Sequence, residues 1–162
     1  MRLRRQDAAG IACTTGGVAI FLAVLPPAPE GTAIPAVRQW LPVLVAIASA
    51  VVLLAEIGRR SLATMRTALY ATGAALTFAL LDGLTKSVGG RFRTDGFGAL
   101  GHWELYAVVL VGVIALVLSQ SSYQAGSLAI SLPLIDGLEP VGAVLIGVAV
   151  FGILDRSPLA QA

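Results

Sequence analysis

Long apolar runs, separated by short polar or proline-rich breaks, dominate this chain. Read with a window of about 19 residues on a transfer scale, the pattern predicts five helical spans. They are Asp7–Leu25, Gln39–Ile57, Thr67–Thr85, Trp103–Gln120 and Ser127–Gly152. A helix rises about 1.5 Å per residue, so each run can cross a hydrocarbon core about 30 Å thick. The first break, Pro26–Arg38, holds Pro26, Pro27, Pro29 and Pro35 and shows no helical period. The second, Gly58–Arg66, is short and basic. The third, Lys86–His102, is glycine-rich and carries the only histidine, and the fourth, Ser121–Gly126, is short and uncharged. The expected fold is all-α: a polytopic membrane bundle of about five transmembrane helices, one domain over residues 1–162.

The last run is the unusual one. Leu128–Gly152 carries Asp136 and Glu139 near its middle, with Pro133 and Pro140 beside them. A carboxylate at that depth costs roughly 2.5–3.5 kcal/mol on insertion scales and is rarely idle. Each proline removes a helical hydrogen bond and frees the carbonyl four residues back, here those of Ala129 and Asp136. The expectation is a last helix broken by its prolines, with an ion or substrate site at the break. Asp136 and Glu139 are three apart and share a helix face. Two carboxylates so close in a low dielectric share a proton or hold a cation between them. The first arrangement serves proton coupling. The second serves a hard ion such as Mg²⁺ or Na⁺, which takes oxygen ligands. Against both stands a plainer reading, in which the segment is unwound and wet and both acids face water.

Other charges sit nearer the span ends. Asp82 and Lys86 are one turn apart at the end of the third span. They form an interfacial pair with Lys86 snorkelling to the headgroups, or they gate or contact a substrate. Glu56 and Glu104 read as interfacial charges, and Trp40, Trp103 and Tyr106 fall where an aromatic belt would. Tyr70, Phe78, Gln120 and Tyr123 are candidates to face a cavity, and His102 is a lone loop histidine. Ala71, Ala75, Ala79 and Gly83 recur every four residues, as do Ala143 and Gly147. Such spacing lets helices approach closely, within a bundle or across a dimer face.

Composition agrees with the membrane class. Hydrophobic residues make up 57% of the chain and charged ones 12%, against about 25% charged in a soluble domain. The net charge of +2 is carried in loops, so no basic face for nucleic acid is expected. Cys13 lies alone in an apolar run and offers neither a disulfide nor a metal pair. The N-terminal apolar run is about 18 residues, longer than the usual 7–15 of a signal peptide, and reads as a first span. Arg2, Arg4, Arg5, Arg59, Arg60 and Arg66 fall on one side of the membrane. Arg38, Lys86, Arg91, Arg93 and Arg156 fall on the other. The basic N-terminal flank places the N-terminus in the cytoplasm of a plasma-membrane protein, and the basic third loop runs against that rule. No paired Cys or His, GxSxG, phosphate loop or HExxH is present, so neither an enzyme nor a cofactor is expected.

The stretch SQSSYQAGSLAISLPLIDGLEPVGAVLIGVAVFG (Ser119–Gly152) resembles the drug/metabolite transporter superfamily. Within it, the chain looks most like the EamA-like group and bacterial relatives of NIPA-type magnesium transporters. The resemblance rests on Tyr123, Gln124-Ala125-Gly126, Leu132-Pro133, Glu139-Pro140 and Phe151-Gly152. LRRQDAAGIACTTGGVAIFLAV and ALYATGAALTFALLDGLTKSV resemble, respectively, the helix closing one half of such a transporter and the helix opening the other. The resemblance implies a bundle of about nine or ten helices in an inverted repeat, with substrate at the midplane. Ile153 stands where a glutamate commonly follows Phe-Gly, and the helices of a first half and a final helix are missing from this chain. It therefore looks like a C-terminal-half fragment, completed by a homodimer or by a missing-half partner. The functional expectation is alternating access for a small solute or cation, with Asp136, Glu139, Pro133, Pro140, Ala129, Asp82 and Lys86 as site candidates. The alternative is a truncated interaction subunit of a membrane complex without transport of its own.

Overall fold

The computed structural model describes residues 34–151, together with Gly16, which is helical. Met1–Gly31 and Thr32–Ala162 form separate compact units, and the account below concerns the second. Apart from Gly16, the expected span Asp7–Leu25 lies outside the described residues, as do Cys13 and Arg156.

Four α-helices follow one another: α1 (Val37–Arg60), α2 (Ala63–Asp95), α3 (Trp103–Ala125) and α4 (Leu128–Phe151). A 3₁₀ turn, Gly96–Gly101, joins α2 to α3. All four helices are long and apolar enough to cross a membrane. Of the five expected spans, the last four correspond to them. α1 starts where Pro35 ends the extended approach, and the Gln39 side-chain carbonyl accepts the Ala36 N–H at 2.8 Å. It ends at Ser61, where the Arg66 guanidinium reaches back to the carbonyls of Gly58, Arg59 and Ser61 at 3.2, 3.5 and 3.2 Å. A cation there satisfies orphan carbonyls and opposes the helix dipole.

α2 runs ten residues beyond the expected end at Thr85. The glycine-rich stretch read as a loop is helical as far as Asp95. Gly89 and Gly90 weaken a helix but do not end one. The stop comes at Gly96, the one described residue with positive φ, at 54°, where a side chain would be strained. α4 also corrects an expectation. It is one continuous helix with Pro133 and Pro140 inside it, not a helix broken by its prolines. Prolines within a span are tolerated without unwinding where neighbouring helices, Ser or Thr side chains or small backbone adjustments re-satisfy the freed groups.

α2 is the central helix. Half of its apolar window is buried, against 6% for α1 and 17% for α4. Ala71, Ala74, Ala75 and Ala79 are fully buried. Across α3 the pairing is antiparallel: the Ser122 hydroxyl donates to the Thr67 carbonyl at 3.0 Å, Gly73 faces Leu118 and Gly112 faces Leu81. Toward α4 the pairing is parallel. Gly142 sits so close to Ala79 that a Cβ there would stand 2.8 Å from the alanine methyl, and Gly83 faces Ile146 and Trp40. The four-residue stripe on α2 is thus consumed inside the bundle, as small residues in membranes usually are. The outward faces carry large apolar side chains such as Val45, Val52, Leu53, Val109, Leu110, Val113, Val144 and Leu145. So wide an apolar surface fits lipid rather than water.

Candidate functional site

The parallel packing of α2 on α4 opens a groove where both helices approach the end of their apolar stretch. It has a volume of about 290 Å³ and is lined by Asp82, Gly83, Lys86, Ala143, Val144, Gly147 and Phe151. Its origin is local: Gly83, Ala143 and Gly147 lack the side chains that would fill the space between the helices. The rest of the wall is apolar, and its charged groups are Asp82 and Lys86.

These two are not paired with each other. Among the described residues the ion pairs join Glu56 to Arg59 and Arg60, Arg91 to Glu104, and His102 to Asp95. The Lys86 ammonium instead lies over the Phe151 ring, 4.6 Å from its centroid. Phe151 in turn meets the buried Trp40 edge-on, with centroids 6.0 Å apart and planes at 88°. Lys86 thus spans from α2 to α4 across one end of the groove. Its cation–π contact is worth about 0.5–1 kcal/mol at an exposed site.

The sequence candidates divide. Asp82 and Lys86 line the groove. Asp136, Glu139, Pro133, Pro140 and Ala129 do not. Glu139 is half-buried on α4 and lies within electrostatic range of both Asp82 and Asp136. Asp136 is exposed on the outer face of α4, as are Pro133, Pro140 and Ala129. No three His, Cys, Asp or Glu side chains among the described residues converge to hold a metal ion. Tyr70 packs on Gly58, Phe78 and Tyr123 join a small apolar cluster around Ala71, Ala74 and Ile135, and Gln120 is exposed. None of the four faces the groove.

Two expected surface residues are inside. Trp40 is fully buried and Glu104 is 1% exposed, so neither serves as an interfacial anchor; Tyr106, 66% exposed, fits one. Glu104 Oε1 accepts from Arg91 Nη2 at 3.0 Å and from Nε at 3.3 Å, while Oε2 is buried without a partner. The reason is the extended α2. Arg91, expected in a loop, is carried on a helical turn that faces the start of α3. Sequence reading also passed over Phe151 as a contact residue. Asp82, Lys86 and the repeat of Ala143 and Gly147 were its signals for the groove.

A second groove of about 220 Å³ lies between α1, α2 and α4, with Val43, Leu76 and Leu145 in its apolar wall. It offers no charge to orient a solute.

Neither a family model nor a solved structure matches the chain. It is 31% identical over 155 residues to an uncharacterized protein of Corynebacterium glutamicum, an alignment that covers 93% of this chain and 52% of that protein. The chain spans about half the length of the curated relative it matches.

Proposed function

We propose that this chain is a transporter-like unit of the plasma membrane, related to the EamA-like group of the drug/metabolite transporter superfamily, which binds a small solute in the α2–α4 groove. The observation that carries this reading is a pair of opposite charges, Asp82 and Lys86, without ion partners among the described residues, on a groove set between two membrane-length helices. Ligand sites of this kind are mostly apolar with a few placed polar groups. Charged residues kept within membrane segments usually mark a solute path. Glu139, on α4, lies within electrostatic range of Asp82. Asp136 faces outward within a span, where lipid is a costly neighbour. A second set of helices against that face, from a second copy or a separate half, relieves the cost. The twofold length of the relative fits such an arrangement. The N-terminus lies in the cytoplasm in this reading.

Two measurements test it. Purified chain in liposomes is challenged with a defined mixture of small solutes, including Mg²⁺, and uptake is read by mass spectrometry. Chain-dependent uptake of at least one solute, lost in Asp82→Asn, is expected; a folded chain that moves none refutes transport. Native mass of the detergent-solubilised chain should show a dimer or hetero-complex. A lone monomer would favour the second reading, an interaction subunit without transport.

A further inference from the structure

We infer that Lys86 sets the specificity of the groove, making it a site for a small zwitterion and not for a free cation. The inference rests on the groove being the solute site, and it departs from the cation reading of the acidic residues.

Three observations lead to it. First, the groove already contains a cation. The Lys86 ammonium occupies the face of Phe151 at 4.6 Å, the place where a ligand cation would gain most from an aromatic ring. A second cation entering there meets repulsion from the ammonium already in place. Second, Asp82 lines the same groove without an ion partner among the described residues. An unpaired carboxylate beside an apolar wall favours an incoming ammonium, and Lys86 favours an incoming carboxylate or phosphate. Third, the two side chains leave the same helix four residues apart, about 6 Å along its axis. Lys86 then leans away from Asp82 toward Phe151. The two poles of a ligand must therefore stand several ångströms apart, which a short spacer between ammonium and anion provides. The volume, about 290 Å³, lies at the lower end of the roughly 300–1,000 Å³ of ligand pockets, so the ligand is small. Metal binding has no matching support, since no cluster of three acidic, His or Cys groups forms among the described residues.

The ligand's ammonium takes Asp82, with Glu139 within electrostatic range behind it. Its anionic group takes Lys86, and its methylene spacer lies on Gly83, Ala143 and Val144. Lys86 keeps its hold on Phe151 or moves to the ligand's anion, so binding and the α2–α4 contact are linked.

The test uses the purified chain in lipid nanodiscs and four probes: 4-aminobutyrate, butylamine, butyrate and MgCl₂. Affinity is read by calorimetry. The native chain should bind 4-aminobutyrate at least about tenfold tighter than the two singly charged analogues, a difference of about 1.4 kcal/mol, and should not bind MgCl₂. In Lys86→Met the preference over butylamine should fall to about one, and butyrate should no longer bind. In Asp82→Asn butyrate should hold while 4-aminobutyrate weakens. A merely structural role would not exchange the preferred charge in this way. Val144→Trp, which fills the groove from an exposed position, should abolish all binding. If butylamine or Mg²⁺ binds the native chain as well as 4-aminobutyrate, and Val144→Trp abolishes it, the zwitterion assignment is wrong but the groove stands. If no probe binds the native chain, or Val144→Trp leaves binding intact, the assignment fails together with the groove.

Discussion

Replacing Gly142 with alanine should separate α2 from α4, while the same change at Gly137, on the same helix, should not. A Cβ at Gly142 would stand 2.8 Å from the Cβ of Ala79, whereas one at Gly137 meets nothing within 4 Å among the described residues. The Ala79 methyl is fixed to the backbone and cannot swing aside, so the helices themselves must move. Alanine in place of glycine within a helix gains about 0.8–1.0 kcal/mol at either position. Overpacking a close contact costs about 1–3 kcal/mol. Gly137→Ala should therefore stabilise by about 1 kcal/mol, and Gly142→Ala should range from neutral to about 2 kcal/mol destabilising. The gap of about 1–3 kcal/mol is a factor of about 5 to 150 in the folded ratio. Unfolding in mixed micelles, titrated with a denaturing detergent and followed by tryptophan fluorescence, measures both variants. Trp40 packs beside Gly83 on the same seam and reports its opening. Equal shifts for the two variants would refute the parallel α2–α4 contact on which the groove depends.

Glu104→Ala should destabilise by about 3–5 kcal/mol, since it strands Arg91 beside a buried site; Glu56→Ala, on an exposed pair, should cost less than about 1 kcal/mol. Replacing Arg91 and Glu104 together with Met and Leu should recover most of that loss, and failure to recover would mean the pair is not the cause. Arg66→Met removes the charged donor from the carbonyls ending α1 and should cost about 1.5–3 kcal/mol, read in the same detergent titration. Pro133→Ala and Pro140→Ala should leave the fold intact and raise its stability, because each restores a helical hydrogen bond in an already continuous helix; a loss of helicity by circular dichroism would contradict the unbroken α4.

Hydropathy made the membrane-length helices legible, because a run of apolar residues long enough to cross a bilayer has few other uses. It placed α1, α3 and α4 within a few residues. It stopped α2 early, because Lys86, Gly89, Gly90 and Arg91 look like a polar loop when judged by hydropathy alone. A helix leaving the bilayer keeps its backbone bonds until a residue such as Gly96 turns the chain. That error hid Arg91 and made Glu104 look like a surface charge. The spacing of Ala71, Ala75, Ala79 and Gly83 did foretell close packing, but spacing cannot name the partner helix. The prolines drew the site to Asp136 and Glu139. The structure concentrates space and opposite charge one level further along, at Asp82 and Lys86. Locating the groove required the register between α2 and α4, which no pattern within one helix contains.

The central claim is that the α2–α4 groove is a solute-accessible site inside a membrane protein, and single-cysteine labelling tests it most directly. In a Cys13→Ala background, Ala143→Cys places a thiol on the groove and Val113→Cys places one on the exposed apolar face of α3. The chain is held in liposomes and treated with a small charged maleimide that does not cross lipid. Labelling at residue 143 and not at 113 is the result expected here. Labelling of both would mean that the apolar faces meet water and the chain does not span a bilayer, and labelling of neither would mean that the groove is closed to solutes.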